Sequence, residues 1–233
     1  MHCRPKNKQQ NIHYKHNLSK LLIGVNSDAI SGWLLLATFF YNHQHYSEAL
    51  IITHHIMSKF TDETIPLPVE TYNGIALFHK SHDNVMELMK QEKTITIVKN
   101  LTNLDINLDT KALAILPELQ QDVKDPFTVF PCKPMAHFIR FLCYYRLKDF
   151  NLCKESYKKL YRENVNNMSY MKNMKNCSVR SVNMLELLYT MYFLGISAQM
   201  MGDRDLEKQL FRIIARCDIF NCTSAASRLS ESI

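Results

Sequence analysis

Glycine is scarce in this chain. Five of 233 residues are glycine (Gly24, Gly32, Gly74, Gly195, Gly202), and no two form a pair or a G-x-G. That is about 2% where ~7% is usual. A loop that cradles a phosphate needs clustered glycines so that backbone amides can close on the ligand, so P-loop and dinucleotide-binding chemistry are excluded. Gly/Ser/Pro-rich linkers are missing too, and a chain of this length without one reads as a single domain. Seven cysteines, an odd number with no C-x-x-C, give no disulfide or zinc framework and read as small core residues. The longest uncharged apolar run, Leu187 to Gly202, has sixteen residues, short of the ~20 that cross a bilayer. The opening residues lack the apolar stretch of a secretory signal, which predicts a cytoplasmic protein with no membrane association.

What is present is hydrophobic, helix-forming and unevenly charged. Residues 1–27 carry Arg4, Lys6, Lys8, Lys15 and Lys20 with no acid, a charge of +5. Residues 140–180 carry ten Lys/Arg against Asp149, Glu155 and Glu163, a charge of +7, so the remainder is −6 within a net +6. Such segregation steers an acidic partner or nucleic acid. A solvated helix face and a frayed tail account for the same charges. The expected organisation is a basic N-terminal tail over 1–25 followed by one helical domain over 26–231.

Apolar residues recur at steps of three and four in three places. Ile30, Trp33, Leu34, Ala37, Phe40 and Tyr41 predict a helix that Asp28 can cap. After Asn42-His43-Gln44-His45, a second helix carries Tyr46, Ala49, Leu50, Thr53, Ile56, Met57 and Phe60. The pattern returns with Ala136–Leu147, a turn at Lys148-Asp149, and Phe150, Cys153, Tyr157, Leu160 and Tyr161. It returns again with Leu185–Met201, a turn at Gly202-Asp203, and Leu206, Leu210, Phe211, Ile213 and Ile214. A recurring two-helix unit cannot bury its own apolar face and so stacks, which predicts an all-α fold of irregular helical hairpins, an α-solenoid. Between the first and second hairpins, Thr71–Met89 suggests a degenerate hairpin and Lys93–Val98, with its β-branched residues, a short extended segment. Residues 103–131, broken by Pro117, Pro126 and Pro131, read as a packed connector, and 164–180 as an exposed loop or frayed helix end.

The hairpins resemble tetratricopeptide units. Trp33, Leu36, Ala37, Phe40, Tyr46 and Ala49 fall at that family's intervals, the alanines allowing close helix approach and the aromatics filling around it. The third unit supplies Leu194, Gly195, Ala198, Gly202, Asp203 and Phe211 but sets Glu207 where alanine is expected. The second supplies Tyr144, Asp149, Phe150 and Tyr157, with Phe141 at a small position and Cys153 standing in for alanine. Residues 27–37, Ile115-Leu116-Pro117-Glu118-Leu119, residues 136–145 and Leu194-Gly195 with Gly202-Asp203 appear in an order that resembles the C-terminal helical region of large invertebrate proteins, abundant in bivalves. There the region follows a Mab-type nucleotidyltransferase domain related to cyclic GMP-AMP synthase. The resemblance implies a free-standing or truncated form of that tail. The Gly-Ser motif and metal-binding carboxylates of the enzyme are not matched: no Gly-Ser dipeptide exists, and Asp203-Arg204-Asp205 falls at a helix turn where Asp203 is expected to cap.

Nine of ten histidines precede residue 83, but His43, His45, His54 and His55 lack the spacing of a zinc site, and capping or solvent-facing roles account for them. Cys143 near His137 is the one local Cys-His pair, with one and a half helical turns between them. No catalytic, cofactor or metal residues are assigned, and no cofactor is expected. In stacked hairpins the first helices line a groove, which would place Leu34, Thr38, Tyr41, Phe138, Leu142, Tyr145, Tyr189, Tyr192 and Gln199 against a peptide partner. The same side chains equally well fill the space between helices. The expected function is a non-catalytic protein-interaction module. The alternatives are a nucleic-acid-associated regulator of innate sensing, using Lys158, Lys159 and Arg162 on phosphates, and a fragment without an independent role.

Overall fold

A computed structural model describes residues 6–25, 30–60, 65–67, 102–104, 106–108, 115–123, 128–173, 177–218 and 223–231. Among them the architecture is all-α. Eight helices follow in order: α1 (Lys6–Gly24), α2 (Ser31–Asn42), α3 (Tyr46–Lys59), α4 (Cys132–Arg146), α5 (Phe150–Asn173), α6 (Cys177–Met201), α7 (Arg204–Cys217) and α8 (Ala225–Glu231). Four three-residue strands sit in the connections. β1 (Ile65–Leu67) pairs in parallel with β2 (Thr102–Leu104), and β3 (Ile106–Leu108) pairs antiparallel with β4 (Thr128–Phe130), with Ile106 opposite Phe130. Asp28 and the segments expected at 71–89 and 93–98 lie outside the described residues.

The principal contacts run from each helix to the next, α1 through α8, and α4 also meets α2 and α6. Three hairpins, α2–α3, α4–α5 and α6–α7, are closed by one turn geometry used three times. Gln44, Lys148 and Gly202 take left-handed backbone conformations, with φ of 64°, 59° and 78°. In each turn that residue's amide donates to a carbonyl three residues back (Tyr41, Tyr145, Gln199). The next amide donates five residues back, to Phe40, Tyr144 and Ala198 at 2.9, 3.1 and 2.9 Å. This paired bonding is the Schellman ending of a helix, which satisfies carbonyls that would otherwise be orphaned. Only Gly202 adopts the conformation without a Cβ penalty. The following residue opens the next helix: the carboxylates of Asp149 and Asp203 accept from the amides of Leu152 and Leu206 at 3.1 and 3.3 Å. Asp203 is thus the expected cap. One such aspartate stabilises its helix by about 1 kcal/mol.

Common turns put other positions in register. Five residues past the left-handed residue stand Ala49, Cys153 and Glu207, all buried. Seven before it stand Ala37, Phe141 and Gly195, on the first helices. At Gly195 the opposing helix comes so close that an added Cβ would lie 2.7 Å from the ring of Phe211, which is itself fully buried. Replacing Gly195 with Ala is expected to cost about 1–3 kcal/mol by overpacking, read as a lowered urea midpoint with unchanged slope. A fall below a few tenths would mean that the ring moves freely.

The core gathers where α4, α6 and β4 meet. Phe138 and Phe193 stack at 4.8 Å with ring planes 7° apart, and Phe130 lies 5.0 Å from Tyr189. Residues 189–198 of α6 are buried without exception, so this helix is apolar around its circumference and occupies the centre. α7 buries Glu207, Leu210, Phe211 and Ile214, one stripe at steps of three, one and three. Of the remaining packing residues, Leu36 and Ala198 are buried, while Trp33, Phe40, Tyr46 and Tyr144 are half-buried against the core.

Three expectations are corrected. Residues 6–24 form α1, whose Leu18 and Leu21 pack on the core, in place of a bare tail. The approach of α1 to α2 is close enough that a Cβ on Gly32 would collide with the Gly24 carbonyl oxygen. Most of 164–180 is helical, since α5 runs to Asn173 and α6 begins at Cys177. Phe150 and Tyr161 are exposed, at 55% and 46%. The buried stripe of α5 is Cys153, Ser156, Leu160 and Asn164, turned away from those two rings. Asn and Lys over 164–173 lower the apolar content there, yet α5 continues to Asn173, because helix continuation depends on propensity and neighbours as well as on hydrophobicity.

Candidate functional site

The helices present two contrasting surfaces: the inner face, where the sequence predicts a peptide groove, and the outer face of α5 and α7.

The inner face is filled by the chain itself. Leu34, Thr38, Tyr41, Phe138, Leu142, Tyr189 and Tyr192 are buried, and Tyr145 and Gln199 are half-buried. The Thr38 hydroxyl turns back to the Leu34 carbonyl at 2.9 Å. Residues 115–123, with a short 3-10 turn at Pro117–Leu119, lie across the helices as a strap. Asn42 donates to the Ile115 carbonyl at 2.8 Å, and the Tyr41 hydroxyl donates to Glu118 Oε1 at 2.7 Å. Arg146 of α4 reaches the same carboxylate oxygen at 2.7 Å and the Tyr41 oxygen at 3.0 Å. Further along, Asp122 accepts the Tyr192 hydroxyl at 2.7 Å and the Ser224 amide at 2.6 Å. Arg228 of α8 donates to Tyr192, to the Glu118 carbonyl and to Gln199 at 2.8, 2.6 and 3.4 Å. An open peptide groove at these nine positions is therefore overturned. Tyrosine hydroxyls on an inner face need partners once water is excluded. Carboxylates of the same chain supply them without the association entropy that a separate peptide loses.

Burial sets the protonation of this network. It pushes the hydroxyls of Tyr41 and Tyr192 well above the usual phenol range, with Glu118 and Asp122 adding to the effect. It also pushes the Asp122 carboxyl upward, against the hydrogen bonds from Tyr192 and Ser224 and the charge of Arg228. Arg146 is held charged by its bonds to Tyr41 and Glu118. These groups lock the fold. Glu118 Oε1 is shared by Tyr41 and Arg146, while its Oε2 is buried without a hydrogen-bond partner among the described residues.

The Cys143–His137 pair is likewise internal. Both are buried, and burial raises the Cys143 thiol to about 12, which removes the thiolate a nucleophile requires. His43 leans on Phe39 with ring centroids 4.1 Å apart, His45 pairs with Glu48 at 3.6 Å, and His55 meets Trp33 edge-on at 4.8 Å. Among the described residues no three His, Cys, Asp or Glu side chains are grouped as a metal ion would need. No described helix is long and apolar enough to cross a membrane.

The outer face is different. Tyr157, Lys158, Tyr161 and Arg162 of α5, with Asp203 and Leu206 beside α7, line a shallow depression of about 230 Å³. The Tyr157 hydroxyl donates to Asp203 Oδ2 at 3.2 Å, which fixes one wall. Lys158, Tyr161 and Arg162 are exposed, and so are Val165 and Met168 further along the helix. The sequence signalled the cations here. The strap at 115–123 it signalled only by alternating apolar residues with Glu118 and Asp122, a pattern that does not reveal which tyrosines the carboxylates meet. No family model, no curated protein and no solved structure matches this chain.

Proposed function

We propose that this protein is a non-catalytic interaction module made of irregular tetratricopeptide-like hairpins. The observation that carries the reading is the threefold use of one Schellman turn, with Ala49, Cys153 and Glu207 buried at the same offset. Neighbour-to-neighbour contacts along the helices are what a stacked array requires, and arrays of this kind serve binding through extended surfaces. A purified protein that captures a partner in fixed stoichiometry, reproduced with the partner as bait, is the expected result. Turnover of nucleoside triphosphates by the purified chain, lost on replacing Asp203, would overturn the reading.

A second reading is favoured by the exposed line Lys154, Lys158, Lys159 and Arg162: contact with nucleic-acid phosphates. It requires RNA or DNA binding that is strongest at low salt, and its absence there removes it. Kinship with the helical region of Mab-type nucleotidyltransferase proteins rests on the segments at 27–37, 115–119, 136–145 and 194–203. A transcript joining this coding sequence to such a domain is its test.

A further inference from the structure

We propose that the outer face of α5 is the docking surface of this module, and that its occupant is an acidic amphipathic helix. The inference rests on the interaction-module reading above. Phe150, Lys154, Tyr157, Tyr161, Val165 and Met168 follow one another at steps of four, three, four, four and three, which aligns them along one side of the helix. The line spans about 28 Å at ~1.5 Å per residue, five turns of helix. Phe150, Tyr161 and Val165 are 55%, 46% and 46% exposed, although α5 buries a separate stripe through Cys153, Leu160 and Asn164. A second seam of large side chains, open to solvent over that length, has the shape that accepts another helix at coiled-coil spacing.

Charge selects the occupant. Lys154, Lys158 and Arg162 stand at i, i+4 and i+8 along this seam, and among the described residues none of them makes an ion pair. By contrast Lys133, on the α4 side, is bound to Glu163 at 3.0 Å. A second copy of this chain would set the same cations against themselves, and like charges brought together oppose binding. A nucleic-acid strand would meet the cations but gain no stacking from the aliphatic Val165 and Met168, which continue the seam. A helix with Leu or Ile at i, i+3, i+4 and i+7 and carboxylates on one flank satisfies both the seam and the cations. One apolar side chain of that helix would enter the depression between Tyr157, Tyr161 and Leu206.

The test is selection from a displayed library of helical peptides with randomised surface positions, against the whole protein and against Lys158→Glu/Arg162→Glu and Tyr161→Ala/Val165→Ser variants. All four residues are exposed, so the variants should keep the melting temperature of the parent. Enriched peptides are expected to combine the apolar spacing with Glu or Asp, and to lose about tenfold or more in affinity to either variant. Enriched peptides that are neutral or basic, or that bind the variants unchanged, overturn the α5 site while leaving an interaction module with its surface elsewhere. No enrichment at all overturns both. Self-association in sedimentation that the charge-reversal variant abolishes overturns the acidic helix in favour of a second copy. Tight binding of an oligouridylate that the same variant abolishes overturns it in favour of nucleic acid.

Discussion

By the time the pH has fallen from above 6.5 to near 4, the protein is expected to lose about 3 kcal/mol of folding stability through His137 alone. The side chain sits on α4, 6% exposed, and its Nε2 has no hydrogen-bond partner among the described residues. Burial lowers its pKa from 6.5 to about 4; Glu163 opposes that shift, while Lys133, Arg140 and Lys159 reinforce it. A buried imidazole with a lowered pKa is neutral in the folded state. As pH falls below 6.5 the unfolded chain takes up the proton first, so protonation favours unfolding. The stability is therefore complete above the unfolded value and is lost progressively toward the folded one. Urea unfolding at both ends of that range, for the wild type and for His137→Leu, isolates the contribution. The difference between the two proteins should change by about 3 kcal/mol across the range. A difference that stays flat would place a proton-accepting partner on the imidazole, and the account would fail.

Replacing Asp122 with alanine is expected to cost about 3–5 kcal/mol. Asp122 is 3% exposed and accepts from Tyr192, from the Ser224 amide and, at 4.0 Å, faces Arg228. Removing the carboxylate takes away the charge that faces a guanidinium whose side chain is 13% exposed and leaves the buried Ser224 amide short of an acceptor. The loss should appear first at the C-terminal helix, because α8 is held to the strap largely through these bonds. Amide exchange of α8 residues is thus expected to quicken before that of α6. A cycle with Arg228→Met separates the effects: the double variant should be less destabilised than the sum of the singles, since the interaction between Asp122 and Arg228 can be lost only once. Additive losses would show that Asp122 acts on α8 through packing alone.

The hairpins were legible because their determinants are local. Apolar residues at helical spacing, Asp149 and Asp203 at helix starts, and Gly202 at a left-handed position each act within a few residues of themselves. The same local reading misjudged α5. Its apolar residues lie on two sides, and periodicity cannot tell which side meets the protein. Spacing alone places Phe150 and Tyr161 inward with Cys153 and Leu160, yet the structure turns Ser156 and Asn164 inward in their place. Tertiary neighbours decide such a contest, since α4 and α6 accommodate a slim polar side chain better than a ring.

The inner face was illegible for a different reason. Its tyrosines satisfy both readings, groove or core, until something is known to cover them. What covers them lies 77 residues away for Tyr41 and Glu118 and 70 for Tyr192 and Asp122. No spacing rule reaches across such separations. By itself the sequence determined the helical class, the three hairpins, their turns and the concentration of positive charge on α5. Only the tertiary structure decided that the strap closes the inner face, that the basic N-terminal segment packs as a helix, and that the seam of α5 stays open. Helix and turn follow from bonds among near neighbours, whereas burial is settled by whichever distant segment fits the surface.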